Sequence, residues 1–301
     1  TVEEAILRIR RTGIDKETIY TCYVTRGHKL IGLTSVKDLL LCEDDDATIE
    51  SIMQEHVITV GTLDDKEQVA QMFSKYNFLA LPVVDTENRL VGIITFDDAM
   101  DVMEEEATED IEKMAAIVPS DKTYFKTSIL QTYKNRMPWL LILMVSATFT
   151  GAIITSYENA LSSYVILTAY IPMLMDTGGN CGSQSSTLII RGIALNQVTF
   201  HDFFRVIWKE FRVSLIVGVV LAVANGLRIY LTYQQAGMAV VIALSLVATV
   251  ISAKLLGCIL PMFAKKIGLD PALMASPLIT TIVDASSIMI YFFIATKVFH
   301  L

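Results

Sequence analysis

The chain has 301 residues, 53% of them hydrophobic, a mean hydropathy of +0.50 and a formal charge of −8. That is too apolar for an ordinary soluble protein, and the acidic balance argues against a nucleic-acid partner. The charge is unevenly placed: residues 1–120 carry 25 acidic and 11 basic side chains (−14), whereas residues 121–301 carry 7 and 13 (+6). A strongly acidic soluble half joined to a membrane half favours cations as partners.

Cys22, Cys42, Cys181 and Cys258 have neither metal-ligand nor redox spacing and read as free thiols. No signal peptide precedes the acidic half and the chain begins at Thr1, so an upstream segment is expected.

The acidic half is a tandem α/β repeat. Residues 30–40 (LIGLTSVKDLL) recur sixty positions later as residues 90–100 (LVGIITFDDAM) without a gap. Each copy reads as an apolar strand, a hydroxyl residue (Ser35, Thr95) and, three positions on, an aspartate (Asp38, Asp98) opening a helix. A hydroxyl there can cap the free amides of a first turn. Helices at 2–12 and 64–76 and strands at 19–24 and 79–84 complete the expected repeats, 1–56 and 57–118. This duplication resembles a pair of CBS domains, a regulatory module that often binds adenine nucleotides. The resemblance implies that Asp38 and Asp98, with Ser35 and Thr95, form a nucleotide site for ATP. The alternative is that both aspartates only serve the first turn of their helices.

The second repeat ends in an acidic helix, Asp97 to Glu112, on which Asp97/Asp101, Asp98/Asp101, Asp101/Glu105 and Glu105/Glu109 stand three or four residues apart. Like charges at that spacing repel, with only Lys113 to answer them in the segment. A hard divalent cation bound through oxygen would relieve the strain; a solvated acidic face is the plainer alternative. Residues 119–137 then mix Tyr124, Phe125, Ile129, Leu130 and Tyr133 with Lys122, Lys126, Lys134 and Arg136, which predicts a basic amphipathic helix at a membrane surface.

Five spans follow, near 138–157, 163–190, 207–231, 238–264 and 272–299. Lys and Arg collect at the start of the first span and in the second and fourth loops, so the acidic half is expected in the cytosol and the C-terminus outside. The second span contains Asp176, Asn180 and Gln184 on one helical face, together with Pro172 and three glycines expected to loosen the helix. Close helix packing is the other use of such small residues. Lys254 in the fourth span is a candidate partner for Asp176, or extends to the cytosolic edge. In the last span Asp284 is the one charged residue between Asp270 and Lys297, with Thr280, Thr281, Ser286 and Ser287 nearby. A carboxylate at that depth calls for a polar interior, a partner or an ion.

Two CBS-like repeats, an acidic-then-basic connection and five spans together resemble the MgtE family of magnesium channels. Residues 172–184 (PMLMDTGGNCGSQ) and the run Asp270-Pro271-Ala272-Leu273 are similar to that family's signatures. The expected fold class is therefore an α-helical membrane protein with an N-terminal cytosolic α/β CBS module. The resemblance implies a homodimer in the plasma (inner) membrane, with the pore between two membrane domains. It implies that Asp284 and the Thr280 carbonyl hold hydrated Mg²⁺, and that Mg²⁺ at Asp98, Asp101, Glu106, Glu109, Asp110 and Asp270 keeps the pore closed. Ser276 departs from the pattern, since some members have Asn before the Pro of the last span.

An ion-coupled secondary transporter of the same cation is the alternative, because intramembrane carboxylates also relay protons. An enzyme is not expected: there is no nucleophile-base arrangement, phosphate-cradling glycine loop or zinc motif, and His28, His56, His201 and His300 are scattered.

Overall fold

The computed structural model describes residues 1–120, 122–158, 162, 164–274 and 276–300, with backbone alone at Ser276. The chain folds as two units, Thr1–Thr108 and Glu109–Leu301.

In the first unit, α1 (Val2–Thr12) starts on a reciprocal cap between Thr1 and Glu4 and carries acids in its first turn and Arg10 and Arg11 in its last. Both ends suit the helix dipole. β1 (Thr21–Arg26) and β2 (Lys29–Ser35) pair antiparallel across a turn at Gly27 and His28, both of positive φ. Short helices α2 (Val36–Leu41) and α3 (Ile49–Ile52) close this repeat. The second repeat adds β3 (Val60–Gly61), α4 (Lys66–Tyr76), β4 (Ala80–Val84) and β5 (Leu90–Thr95), in the sheet order β3-β4-β5. β4 and β5 run antiparallel, and each hairpin has a register shift close to its turn. The turns also join the repeats: Leu30 N–H donates to Asn88 O and Leu90 N–H to His28 O. Phe73, Val69, Leu81, Val60 and Ala99 form the core of the second repeat.

The acidic helix α5 (Phe96–Met114) is longer than expected, and its last turn belongs to the second unit. Met114 packs on Ile190 and Ala272 there, which moves the domain boundary inside the helix.

The expected connecting helix over 119–137 is not a separate element. A single 3-10 turn covers Tyr124–Lys126, and α6 (Ile129–Ser156) then starts on a Ser128 cap and runs straight through Pro138. The proline removes one N–H, while the apolar residues beyond it gain from keeping every other backbone bond satisfied.

The remaining helices are α7 (Ile171–Ala194), α8 (Phe203–Tyr233), α9 (Ala236–Lys266) and α10 (Ser276–Phe299). The second span was expected from residue 163, which lies outside the described residues; α7 begins at Ile171 after a 3-10 stretch, Val165–Tyr170. Pro172 sets that start, because a helix accepts proline in its first turn. Among the described residues, α6, α8, α9 and α10 are long and apolar enough to cross a membrane. The more polar α7 packs against α9 and α10. Leu167, Leu174, Ile242, Leu246, Tyr291 and Phe292 build the core on one side of it.

Candidate cation site

Three glycines decide how α7 meets its neighbours. An added Cβ on Gly178 would stand 2.8 Å from Ser287 Oγ and 2.9 Å from Val283 Cγ1, and one on Gly179 would stand 3.1 Å from Thr280 Cγ2. A Cβ on Gly257 of α9 would strike the carbonyl oxygen of Gly182. The expected loosening by glycine does not occur. α7 is one continuous helix, and its glycines let α9 approach almost to backbone contact and make room for side chains of α10.

With that face buried, Asp176, Asn180 and Gln184 stand on the opposite one, and all three are exposed on the single chain. Asp284 on α10 is half-buried and lies beside Gly179, within 3.9 Å of that position's Cβ direction. Asp176 is close enough to Asp284 to act on it electrostatically. Neither carboxylate has a hydrogen bond or ion pair among the described residues. The surrounding hydroxyls are committed to their own helix: Thr280 and Thr281 donate to Pro277 O, and Ser286 and Ser287 to Val283 O. Two neighbouring carboxylates thus stand without a counter-charge among the described residues, an arrangement that is costly inside an apolar bundle.

Lys254 does not serve Asp176. Its Nζ lies 3.7 Å from Glu210 Oε2 and 3.2 Å from Ser185 Oγ, and Ser185 Oγ donates to Glu210 Oε2 at 2.9 Å. This network is almost fully buried between α7, α8 and α9. Sequence reasoning missed Glu210, about two turns into α8, because it lies close to the start of the expected third span, where a carboxylate looks solvated.

The acids of the first unit are spent differently. Asp38 Oδ2 accepts from Ser35 Oγ at 2.6 Å and from Ser35 N–H, and these bonds hold its carboxyl below the usual carboxylate range. Asp98 Oδ2 accepts from Thr95 Oγ1 at 2.9 Å. Both are therefore engaged at helix starts. Asp98 also lines a cavity of about 340 Å³ with Gly61, Asp64 and Lys66, while Ser35 lines another of about 660 Å³ with Tyr20, Lys37 and Leu79.

Along α5, Lys66 from α4 reaches Glu106 at 3.1 Å and Glu105 at 3.5 Å, so Lys113 is not the sole cation answering this helix. The hydrogen bond and charge of Glu106, then those of Glu105, raise the Lys66 pKa. Asp101 is exposed without a bonded partner among the described residues. In the second unit Lys113 Nζ sits 2.5 Å from Glu109 Oε1 and 2.6 Å from Asp270 Oδ2. Burial favours the neutral amine, but Asp270 and Glu109 outweigh it and raise the Lys113 pKa. Asp110 lies on the same helix. No three His, Cys, Asp or Glu side chains converge as a metal cluster among the described residues.

Residues 171–294 match the MgtE family, described as a divalent cation transporter, and residues 49–105 match the CBS domain. The first match covers both Asp176 and Asp284. The chain belongs to the MgtE family. It is 39% identical over 98% of its length to the magnesium transporter MgtE of Thermus thermophilus, and 37% identical over its whole length to that of Bacillus subtilis. The Enterococcus faecalis magnesium transporter MgtE is 34% identical over 98% of the chain. The chain spans 65%, 66% and 65% of the lengths of these MgtE relatives, in that order.

Proposed function

We propose that two copies of this chain form a Mg²⁺ channel in the plasma (inner) membrane, with the exposed face of α7 and Asp284 of α10 lining the pore. The observation that carries this reading is an unpartnered, half-buried Asp284 beside the exposed row Asp176, Asn180 and Gln184. On a single chain that row faces the outside of an apolar bundle, where a carboxylate is costly. A second copy across a two-fold axis would cover it and enclose water. Mg²⁺ gives up its water reluctantly, so a few carboxylates around a hydrated ion, assisted by the Thr280 carbonyl, suit it better than a dehydrating cage. The relatives' magnesium transport supports the choice of ion.

Cytosolic Mg²⁺ would bind Asp98, Asp101 and Glu106 in the first unit and Glu109, Asp110 and Asp270 in the second, and so favour the closed state. Withdrawal of the ion leaves the carboxylates of α5 to repel one another. ATP bound at Asp38 or Asp98, with Ser35 and Thr95, would modulate the gate; the Asp98 cavity supports that position. The acidic unit lies in the cytosol and the C-terminus outside.

The test is Mg²⁺ flux into liposomes containing the purified chain. Asp284→Ala abolishes it under this reading, and intact flux would refute the pore. Unitary currents in planar bilayers identify a channel, whereas flux in fixed stoichiometry with protons identifies a coupled transporter. Neutralising Asp98, Asp101, Glu106 and Glu109 together leaves conduction poorly inhibited by cytosolic Mg²⁺ in inside-out patches; unchanged inhibition rejects the gate.

A further inference from the structure

Glu109 and Asp270 already hold a cation that belongs to the chain. Glu109 and Lys113 stand one helical turn apart on α5, and Asp270 lies just before the last span. Asp270 is held in place by its other oxygen, Oδ1, which accepts the Ala272 N–H at 2.9 Å. Met114, next to the lysine, packs on Ala272 and Ile190, so the two carboxylates are brought together by apolar contact as well as by charge. The side chains of Lys113, Asp270 and Glu109 are 23%, 31% and 38% exposed, which leaves the group accessible yet poorly screened.

We propose that Lys113 is a tethered counter-ion that competes with Mg²⁺ for Glu109 and Asp270 and thereby sets the Mg²⁺ level at which the protein closes. The inference rests on the gating role given above to those two carboxylates. With the ammonium in place the trio carries a net charge of −1, and without it −2. Mg²⁺ needs its ligand oxygens at about 2.0–2.1 Å in an octahedron completed by water, a shell that an ammonium between the same oxygens obstructs. The divalent ion therefore has to turn the lysine out into solvent before it can bind. Lys113 then acts as a spring against closure at low Mg²⁺ and yields at high Mg²⁺. Lys66 plays no equal part: it sits 3.1–3.5 Å from its two glutamates and is 60% exposed, where solvent screens the pair.

Lys113→Met and Lys113→Arg in the purified chain test this, with Mg²⁺ inhibition in inside-out patches and Mn²⁺ binding in detergent followed by electron paramagnetic resonance. Lys113→Met lowers the half-inhibiting Mg²⁺ concentration roughly tenfold or more, the order of effect of a unit charge at this range in a half-exposed site. It tightens Mn²⁺ binding to match, and the gain disappears in Lys113→Met/Asp270→Asn. Lys113→Arg stays near the parent because the charge is kept. A half-inhibiting concentration that is unchanged or raised in Lys113→Met overturns the proposal. If the parent chain is not inhibited by Mg²⁺ at all, the gating reading fails, and the Mn²⁺ measurement alone decides whether Lys113 excludes the divalent ion. If Lys113→Met does not fold, Lys113→Gln is read by the same two measurements.

Discussion

In the first unit Asp38 and Asp98 each bond the hydroxyl that opens their helix, Asp85 holds Arg89, and Glu105 and Glu106 share Lys66. In the second unit Glu210 is paired in a buried network with Lys254, while Asp176 and Asp284 are joined to nothing among the described residues. The membrane unit thus contains both solutions, an acid neutralised by a fixed lysine and acids left open. Glu210, deeply buried, has its partner built in, whereas Asp176 on the exposed face of α7 has none among the described residues. In the proposed channel, carboxylates left open in this way suit a counter-charge that arrives and departs.

The sharpest way to break the comparison is Asp284→Ala, which should reduce Mg²⁺ uptake in liposomes at least a hundredfold, while Asp284→Glu, which moves the charge by one methylene, keeps part of it. If Asp38→Ala in the first unit cost as much flux, the distinction between the two sets of acids would collapse. Next comes Lys254→Met, which leaves Glu210 buried without its counter-charge; stability should fall by about 3–5 kcal/mol in denaturant unfolding of the detergent-solubilised protein. Restoring most of that loss with Glu210→Gln in the same chain would show that the penalty is unpaired charge, and no restoration would point to lost packing.

A smaller effect is expected from Gly178→Ala, whose methyl meets Ser287, Thr249 and Val283 inside 3.0 Å. Overpacking of this kind costs about 1–3 kcal/mol, and the same thermal or chemical unfolding reads it. The smallest concerns Ser35→Ala, which removes one helix cap from a half-buried position; a loss of about 1 kcal/mol is expected. A loss as large as that of Lys254→Met would mean that the first repeat depends on this hydroxyl for more than its helix start.

Much of the fold was legible in the sequence because its signals are local. The sixty-residue repeat shows as alternating apolar strands followed by a capped helix, and the long spans show as uninterrupted hydrophobic runs. Boundaries were harder, since Pro138 reads as a stop in water but is carried inside α6, where an apolar run surrounds it. At the site, the spacing of Asp176, Asn180 and Gln184 gave one face without needing any neighbour. What the glycines do on the other face depends on α9 and α10, and so loosening and tight packing look alike in sequence. The partner of Lys254 was hidden for the same reason: helix registers, not chain distance, bring Glu210 and Ser185 to it.

The near-contact of main chain with main chain at Gly182 and Gly257 has a mechanical consequence. Rods seated that closely cannot slide lengthwise unless one lifts over the other, so α7 and α9 travel as a single lever. In the proposed channel, widening of the pore would come from tilting that lever or from shifting the helices around it.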